Sequence, residues 1–168
     1  MTRLGSDPRT IFLGQAVSFP GTAMSNTLKE VDNAKLIELP VFEETQMGMT
    51  TGLAMAGFVP ISIFPRWNFL LCAVNQLINH LDKLPQLSGG QFPGKAIIRT
   101  SVGSVRPLHP QHQHVGDFTE AFRLMCTTID VVRLEEPEQI FPAYEHALLR
   151  EDGRSTILVE YGDYYNEK

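Results

Sequence analysis

Six short apolar runs, separated by longer segments of helical character, constrain this chain more than any other feature. The runs are Thr10–Leu13, Lys35–Glu38, Pro60–Phe64, Ala96–Arg99, Asp130–Leu134 and Thr156–Glu160. Most are rich in Ile and Val and have apolar residues at successive positions. A strand buried on both faces reads this way, and such strands fill the middle of parallel sheets. Helices are expected between them, over Met24–Val31, Gln46–Ala56, Asn68–Leu81, Phe118–Met125 and Pro137–Leu149. The alternation predicts an α/β fold. It is a three-layer sandwich with a mostly parallel central sheet of about six strands and helices on both faces. With 168 residues, residues 1–168 are expected to form one domain, large enough to bury a core without staples.

Composition removes several classes of function. The formal net charge is −5 and the pI about 5.5, with no run of Lys or Arg, which argues against a nucleic-acid surface. Cys72 and Cys126 sit in apolar contexts and are expected to be small buried hydrophobes. No Cys-x-x-Cys or disulfide framework occurs, so a reducing setting is expected. The first residues have no signal-peptide core, and no apolar stretch approaches a membrane span. The expected location is cytoplasmic.

Two long irregular stretches interrupt the alternation, Leu84–Gly94 and Ser101–Gly116. Loops of this length in a compact α/β fold are often functional. The second follows the Ala96–Arg99 run directly and should lie at the carboxyl edge of the sheet, where ligands gather in such folds. The segment Glu160–Lys168 is polar and aromatic and is expected to be a simple tail, although Tyr164 and Tyr165 could pack on a neighbour.

The stretch Leu39–Gly57 (LPVFEETQMGMTTGLAMAG) places two carboxylates between the end of a strand and a helix rich in small residues. By themselves Glu43 and Glu44 read as favourable charge at a helix start. Gly48, Gly52 and Gly57 are a different matter. Gly inside a helix costs about 1 kcal/mol relative to Ala, so their repetition points to close approach by another backbone.

The residues that follow give these carboxylates a context. After Pro40, Glu43 and the Gly48–Gly57 segment come Gly57–Pro60, then Asn68–Phe69, Gln76–Asn79 and Ser88–Gly90. In this order and spacing the chain resembles the beta subunits of the first enzyme of 2-oxo acid dehydrogenase complexes. The resemblance continues through Arg99, Gly103, a His-bearing loop and the closing TILVE strand, and covers nearly the whole chain.

That resemblance implies a pyrimidine-binding domain for thiamine diphosphate. Glu43 matches the carboxyl that bonds N1′ of the aminopyrimidine and so promotes formation of the C2 carbanion (ylide). A dry site favours a carboxyl that can hold its proton. Glu44 stands one residue away, where the family has an apolar side chain. Phe69 matches the aromatic ring stacked on the aminopyrimidine; read alone, it would be core. His112 matches the loop histidine near the reacting carbon, with hydrogen-bond or proton donation to a substrate carbonyl as its implied role. The loop His109–His114 holds three of the five histidines, and no role is implied for His109 or His114. No carboxylate or Cys stands at zinc-site spacing beside them, so no metal is expected there.

The family binds the cofactor's diphosphate through Mg²⁺ and a Gly-Asp-Gly motif followed by Asn. This sequence contains no Gly-Asp-Gly. Gly162-Asp163 comes too late for a strand-turn-helix phosphate site. The resemblance therefore implies a pyrimidine-binding subunit without the family's carboxyl-terminal domain. A second subunit would hold the diphosphate and Mg²⁺, in an α₂β₂ heterotetramer. The implied activity is cleavage beside a 2-oxo acid carbonyl, with acyl transfer or carbon–carbon bond formation. One alternative is a split transketolase subunit moving a ketol unit between sugar phosphates, for which Arg66, Arg99 and Arg106 are candidate cations. The other is a non-catalytic scaffold or regulatory partner.

Overall fold

The computed structural model of the chain describes residues 1–106 and 109–166, so part of the second long loop and the last two residues lie outside the described residues. Each of the six apolar runs forms a strand. They are β1 (Thr10–Gly14), β2 (Leu36–Glu38), β3 (Val59–Ile63), β4 (Ile97–Val102), β5 (Asp130–Arg133) and β6 (Thr156–Tyr161). All pair in parallel, in the order β2-β1-β3-β4-β6-β5. β3 is buried at every position, whereas the edge strands β2 and β5 are only partly covered. Burial on both faces is why the central runs lack polar alternation.

The helices α1 (Thr2–Gly5), α2 (Ala23–Asn26), α3 (Glu43–Met55), α4 (Trp67–Leu71), α5 (Leu84–Leu87), α6 (Thr119–Met125) and α7 (Ile140–Leu149) complete the fold. Successive strand residues point to opposite faces. Phe12, Ile61, Ile97 and Leu158 pack with Leu4 of α1, Met24 of α2 and Leu148 of α7. Ile98, Ile157 and Val159 pack with Met47 of α3, Trp67 and Leu70 of α4, and Phe122 of α6. The result is the expected three-layer sandwich, with helices on both faces of an all-parallel sheet.

Four local expectations change. The helix expected over Met24–Val31 shrinks to α2, because Thr27 turns its hydroxyl onto the Met24 carbonyl and the chain leaves the helix there. The helix expected over Asn68–Leu81 divides into α4 and a π-helical turn, Gln76–Leu81. Cys72 is exposed and Cys126 half-buried, since both lie at the ends of helices and not inside them. The aromatic tail is not a simple one. A 3-10 turn over Gly162–Asn166 folds Tyr165 back against the first of the two cores.

Connections leave the sheet in opposite directions between β1 and β3: from β1 the chain runs outward to β2, and from β3 it runs the other way to β4. In open α/β sheets the crevices outside the carboxyl ends at such places bind ligands.

Candidate active site at the carboxyl edge of the sheet

Glu43 is held at this crevice by a chain of hydrogen bonds that begins on β2. The Glu38 carboxylate accepts from the backbone N–H of Ala16 at 2.6 Å and of Ser18 at 2.9 Å. These bonds fix the turn after β1, including Ala16 at φ 53°. The left-handed region is costly for a residue with a Cβ, so this turn needs such support. The same turn carries Gln15, whose amide donates to Glu43 Oε1 at 3.2 Å. The Leu39 N–H donates to the Gly14 carbonyl at 3.0 Å, tying the approach to α3 to the end of β1.

The two adjacent carboxylates have different surroundings. Glu43 is 8% exposed. Glu44 is exposed and accepts from Asn75 Nδ2 at 3.1 Å. Among the described residues no Lys, Arg or His pairs with Glu43. An inward carboxyl whose neighbour is a neutral amide can share a proton with a ligand, which a carboxylate already paired with a cation does poorly. One turn further along α3, Gln46 is 1% exposed. Its amide donates to the Ile63 carbonyl at 3.0 Å and to Ser62 Oγ at 3.1 Å, and reaches the Leu13 carbonyl at 3.4 Å. Residues three apart share a helix face, so Gln46 anchors the turn that presents Glu43 to the ends of β1 and β3.

Phe69 lies on α4, in the same helical layer as α3, and is half-buried. Its ring stacks on His114, with centroids 5.4 Å apart and planes at 22°. His112 is exposed on the 3-10 turn Gln111–His114. Thus the histidine brought to Phe69 is His114, and His112 stands outside that contact. Two polar atoms beside Phe69, Asn68 Oδ1 and His114 Nδ1, are buried with no hydrogen-bond partner among the described residues. A buried polar atom without a partner is costly, so a polar ring with donors and acceptors suits this place. Trp67 is fully buried against Phe122, at 4.6 Å between centroids, and serves the core.

Sequence reasoning missed Gln15, Gln46 and the contact of His114 with Phe69. For Gln15 and Gln46 a signal existed in position alone, since one follows a strand end directly and the other lies one helical turn beyond Glu43. Arg99, a candidate for phosphate binding, is committed elsewhere: its guanidinium is buried against Glu160. Among the described residues no three His, Cys, Asp or Glu side chains come together as a metal-ligand set. No helix among them is long and apolar enough to cross a membrane.

A family profile described as "Transketolase, pyrimidine binding domain" matches residues 2–166. The chain belongs to that family. Among curated relatives, the pyruvate dehydrogenase E1 component subunit beta of Chaetosphaeridium globosum is 32% identical over 171 residues, covering 92% of this chain and 52% of the relative. The chloroplastic subunit beta-3 of Oryza sativa subsp. japonica is 34% identical over 159 residues, covering 85% and 40%. The chain thus spans about half the length, or less, of the relatives it matches. Among solved structures, a split gene transketolase described as an inactive beta4 tetramer superposes with a TM-score of 0.67. It covers 94% of this chain and 47% of that one at 13% identity, a likeness of fold.

Proposed function

We propose that the chain is the pyrimidine-binding subunit of a heteromeric thiamine diphosphate enzyme acting on a 2-oxo acid, with Glu43 as the carboxyl that bonds N1′ of the aminopyrimidine. The observation that carries this reading is the inward Glu43, positioned by Gln15 and Gln46 at the crevice between β1 and β3 with no cation paired to it among the described residues. The unpartnered Asn68 Oδ1 and His114 Nδ1 next to Phe69 fit a polar aromatic ring on the same helical layer. When bound, the cofactor supplies the electron sink for breaking the bond beside the substrate carbonyl.

The chain's own residues do the rest. Glu43 holds a proton at N1′, and Gln15 keeps that carboxyl aimed. Phe69 stacks on the ring and excludes water, which requires His114 to give way or to remain on the opposite face. His112, exposed on its turn, donates a hydrogen bond or proton to the substrate carbonyl once a partner closes over the loop. The diphosphate and its Mg²⁺ belong to a second subunit with a Gly-Asp-Gly motif, in an α₂β₂ heterotetramer. Val41 and Phe42 before α3, and Met55 and Phe58 at its far end, are exposed apolar side chains. Between them a Cβ at Gly52 would meet nothing within 4 Å. Among the described residues no backbone makes the close approach that the small residues imply, so this surface suits the partner subunit.

Co-purification with the partner, thiamine diphosphate and Mg²⁺, followed by turnover of a panel of 2-oxo acids, tests the reading. Glu43→Gln abolishes turnover and leaves assembly intact. Activity surviving that change refutes the assignment. Appreciable turnover by the chain without a partner refutes the shared site. A split transketolase is the second reading; the arginine-lined cavity beyond the ends of β3 and β4 favours it.

A further inference from the structure

Beyond the carboxyl ends of β3, β4 and β6 lies a cavity of about 410 Å³ that the proposed cofactor site does not use. Its wall includes Thr22, Arg66, Ser101, Ser104, Arg106 and Tyr165. Arg66 comes from the turn after β3 and Arg106 from the loop after β4, so both cations reach the cavity from the carboxyl edge of the sheet.

The donors in this wall sort into spent and free. Thr22 Oγ1 is bonded to Ser25 at 2.9 Å. Ser101 Oγ donates to the Pro65 carbonyl at 2.8 Å, and Ser104 Oγ to the Arg106 carbonyl at 2.5 Å. The Tyr165 hydroxyl donates to Glu160. The guanidinium groups differ. Arg66 makes one long hydrogen bond, Nη1 to the His114 carbonyl at 3.4 Å. Among the described residues neither Arg66 nor Arg106 has a carboxylate within ion-pair distance. A guanidinium has several N–H donors in a planar fork that matches carboxylate and phosphate oxygens.

The carboxylate of Asp163 lies near both cations but makes no ion pair with either. It accepts from the backbone N–H of Val105 at 2.9 Å and of Arg106 at 3.1 Å, fixing the loop that brings Arg106. Burial pulls the Arg66 pKa below its ordinary value and Asp163 only partly offsets this, so Arg66 gains from an anion. The larger cavity of the molecule, about 610 Å³ beside β5 and α7, has no such surplus. There Arg150 is paired with Asp130 at 2.8 Å and Arg133 with Asp117 at 2.9 Å.

We propose that the cavity between Arg66 and Arg106 binds the oxyanion end, phosphate or carboxylate, of the molecule on which the enzyme acts. This rests on the proposed function, because the site is read as the far end of the same substrate. The link between this cavity and the crevice at Glu43 is the loop itself: Arg66 bonds the carbonyl of His114, whose ring covers Phe69. A ligand anchored by its anionic end on the arginines would extend toward the histidine loop.

Binding to the isolated chain tests this without any partner or turnover. Inorganic phosphate and acetate are titrated separately and followed by calorimetry and by backbone amide shifts. Saturable binding with shifts at Arg66, Ser101 and Arg106 is expected. The stronger of the two anions identifies the source as phosphate or carboxylate. Arg66→Ala weakens that binding about tenfold or more, the loss expected for one charge-assisted contact. Arg3→Ala, at an exposed arginine outside the cavity wall, does not change it. Arg66→Lys keeps the charge and separates loss of the fork from misfolding. Absence of saturable binding, or equal weakening by Arg3→Ala, overturns the proposal. Glu43→Gln leaves phosphate binding unchanged, so failure here and failure of the cofactor assignment are read separately.

Discussion

Arg99 on β4 and Glu160 on β6 form a buried ion pair, with Nη2 and Oε2 2.8 Å apart and side-chain exposures of 2% and 3%. Arg99 Nε also donates to both Glu160 oxygens, at 3.2 and 3.1 Å, and Nη1 donates to Thr27 Oγ1 at 2.7 Å. The Tyr144 hydroxyl donates to Glu160 at 2.5 Å, and Tyr165 donates to the same carboxylate. The tail, α7, the end of α2 and two strands therefore meet at one ion pair. Burial opposes charge on both partners, yet their attraction wins. Glu160 stays below its ordinary pKa and Arg99 above. Breaking such a pair leaves an uncompensated buried charge, at a cost of about 3–5 kcal/mol. Arg99→Met should lower stability by that order in urea unfolding. Adding Glu160→Leu to it should recover part of the loss. A double variant worse than Arg99→Met would contradict this account.

Acid should unfold the protein through the same groups. Glu160 has its folded pKa depressed, so its contribution is present above its ordinary 4.5 and is lost as pH falls through the lower folded value. Asp7 behaves alike. The Arg9 side chain, more than any other cause, holds it down to about 2. Burial works to raise the pKa of Asp82, but bonds from Lys83 and the Thr127–Thr128 turn hold it low. The urea midpoint should therefore fall as pH drops below 4.5 and keep falling toward 2. A midpoint that rises on acidification would show that these carboxylates are not bonded as described.

How legible the sequence is depends on where each residue's partners lie. The strands are written locally, because burial on both faces demands an unbroken apolar run whatever the neighbours are. Glu43 is legible only through its ordered neighbours in sequence, and its inward orientation relative to Glu44 is not legible at all. That orientation depends on Gln15 and Asn75, which lie 28 residues before Glu43 and 31 after Glu44. The split of the Asn68–Leu81 segment is hidden for the same reason. The continuous helical pattern there is broken at Cys72, where α4 ends, and the π-helical turn stops where Asp82 bonds a turn 45 residues later. Arg99 reads as a cation at a strand end until its partner, 61 residues on, is seen.

Asp82 itself is a sharp target. It is fully buried and accepts the backbone N–H groups of Thr127, Thr128 and Ile129 at 2.9, 2.8 and 3.1 Å. It thereby joins the end of the π-helical turn to the start of β5. Asp82→Ala leaves three donors to find other partners. About 2–3 kcal/mol of stability should be lost, by the usual worth of charge-assisted buried bonds. Lys83→Ala should cost much less, because its partly exposed pair with Asp82 is screened. Equal losses from the two changes would place the energy in the ion pair and not in the clamp.

Gly14 closes β1 at the crevice that presents Glu43, and it can be only glycine. Its φ is 151°, and a Cβ there would lie 2.3 Å from the Ile63 carbonyl oxygen and 3.3 Å from Gln46 Nε2. The first contact is with backbone that cannot swing aside. Gly14→Ala must therefore part β1 from β3 at their carboxyl ends, at about 1–3 kcal/mol. Since Gln46 donates to the Ile63 carbonyl and Gln15 follows Gly14 directly, both supports of Glu43 shift with it. Hydrogen exchange should accelerate at the amides of Leu39 and Gln46 while those paired between β5 and β6 remain protected. Uniform acceleration across all six strands would mean that the change lowers global stability alone, and that the crevice is not set by this close approach.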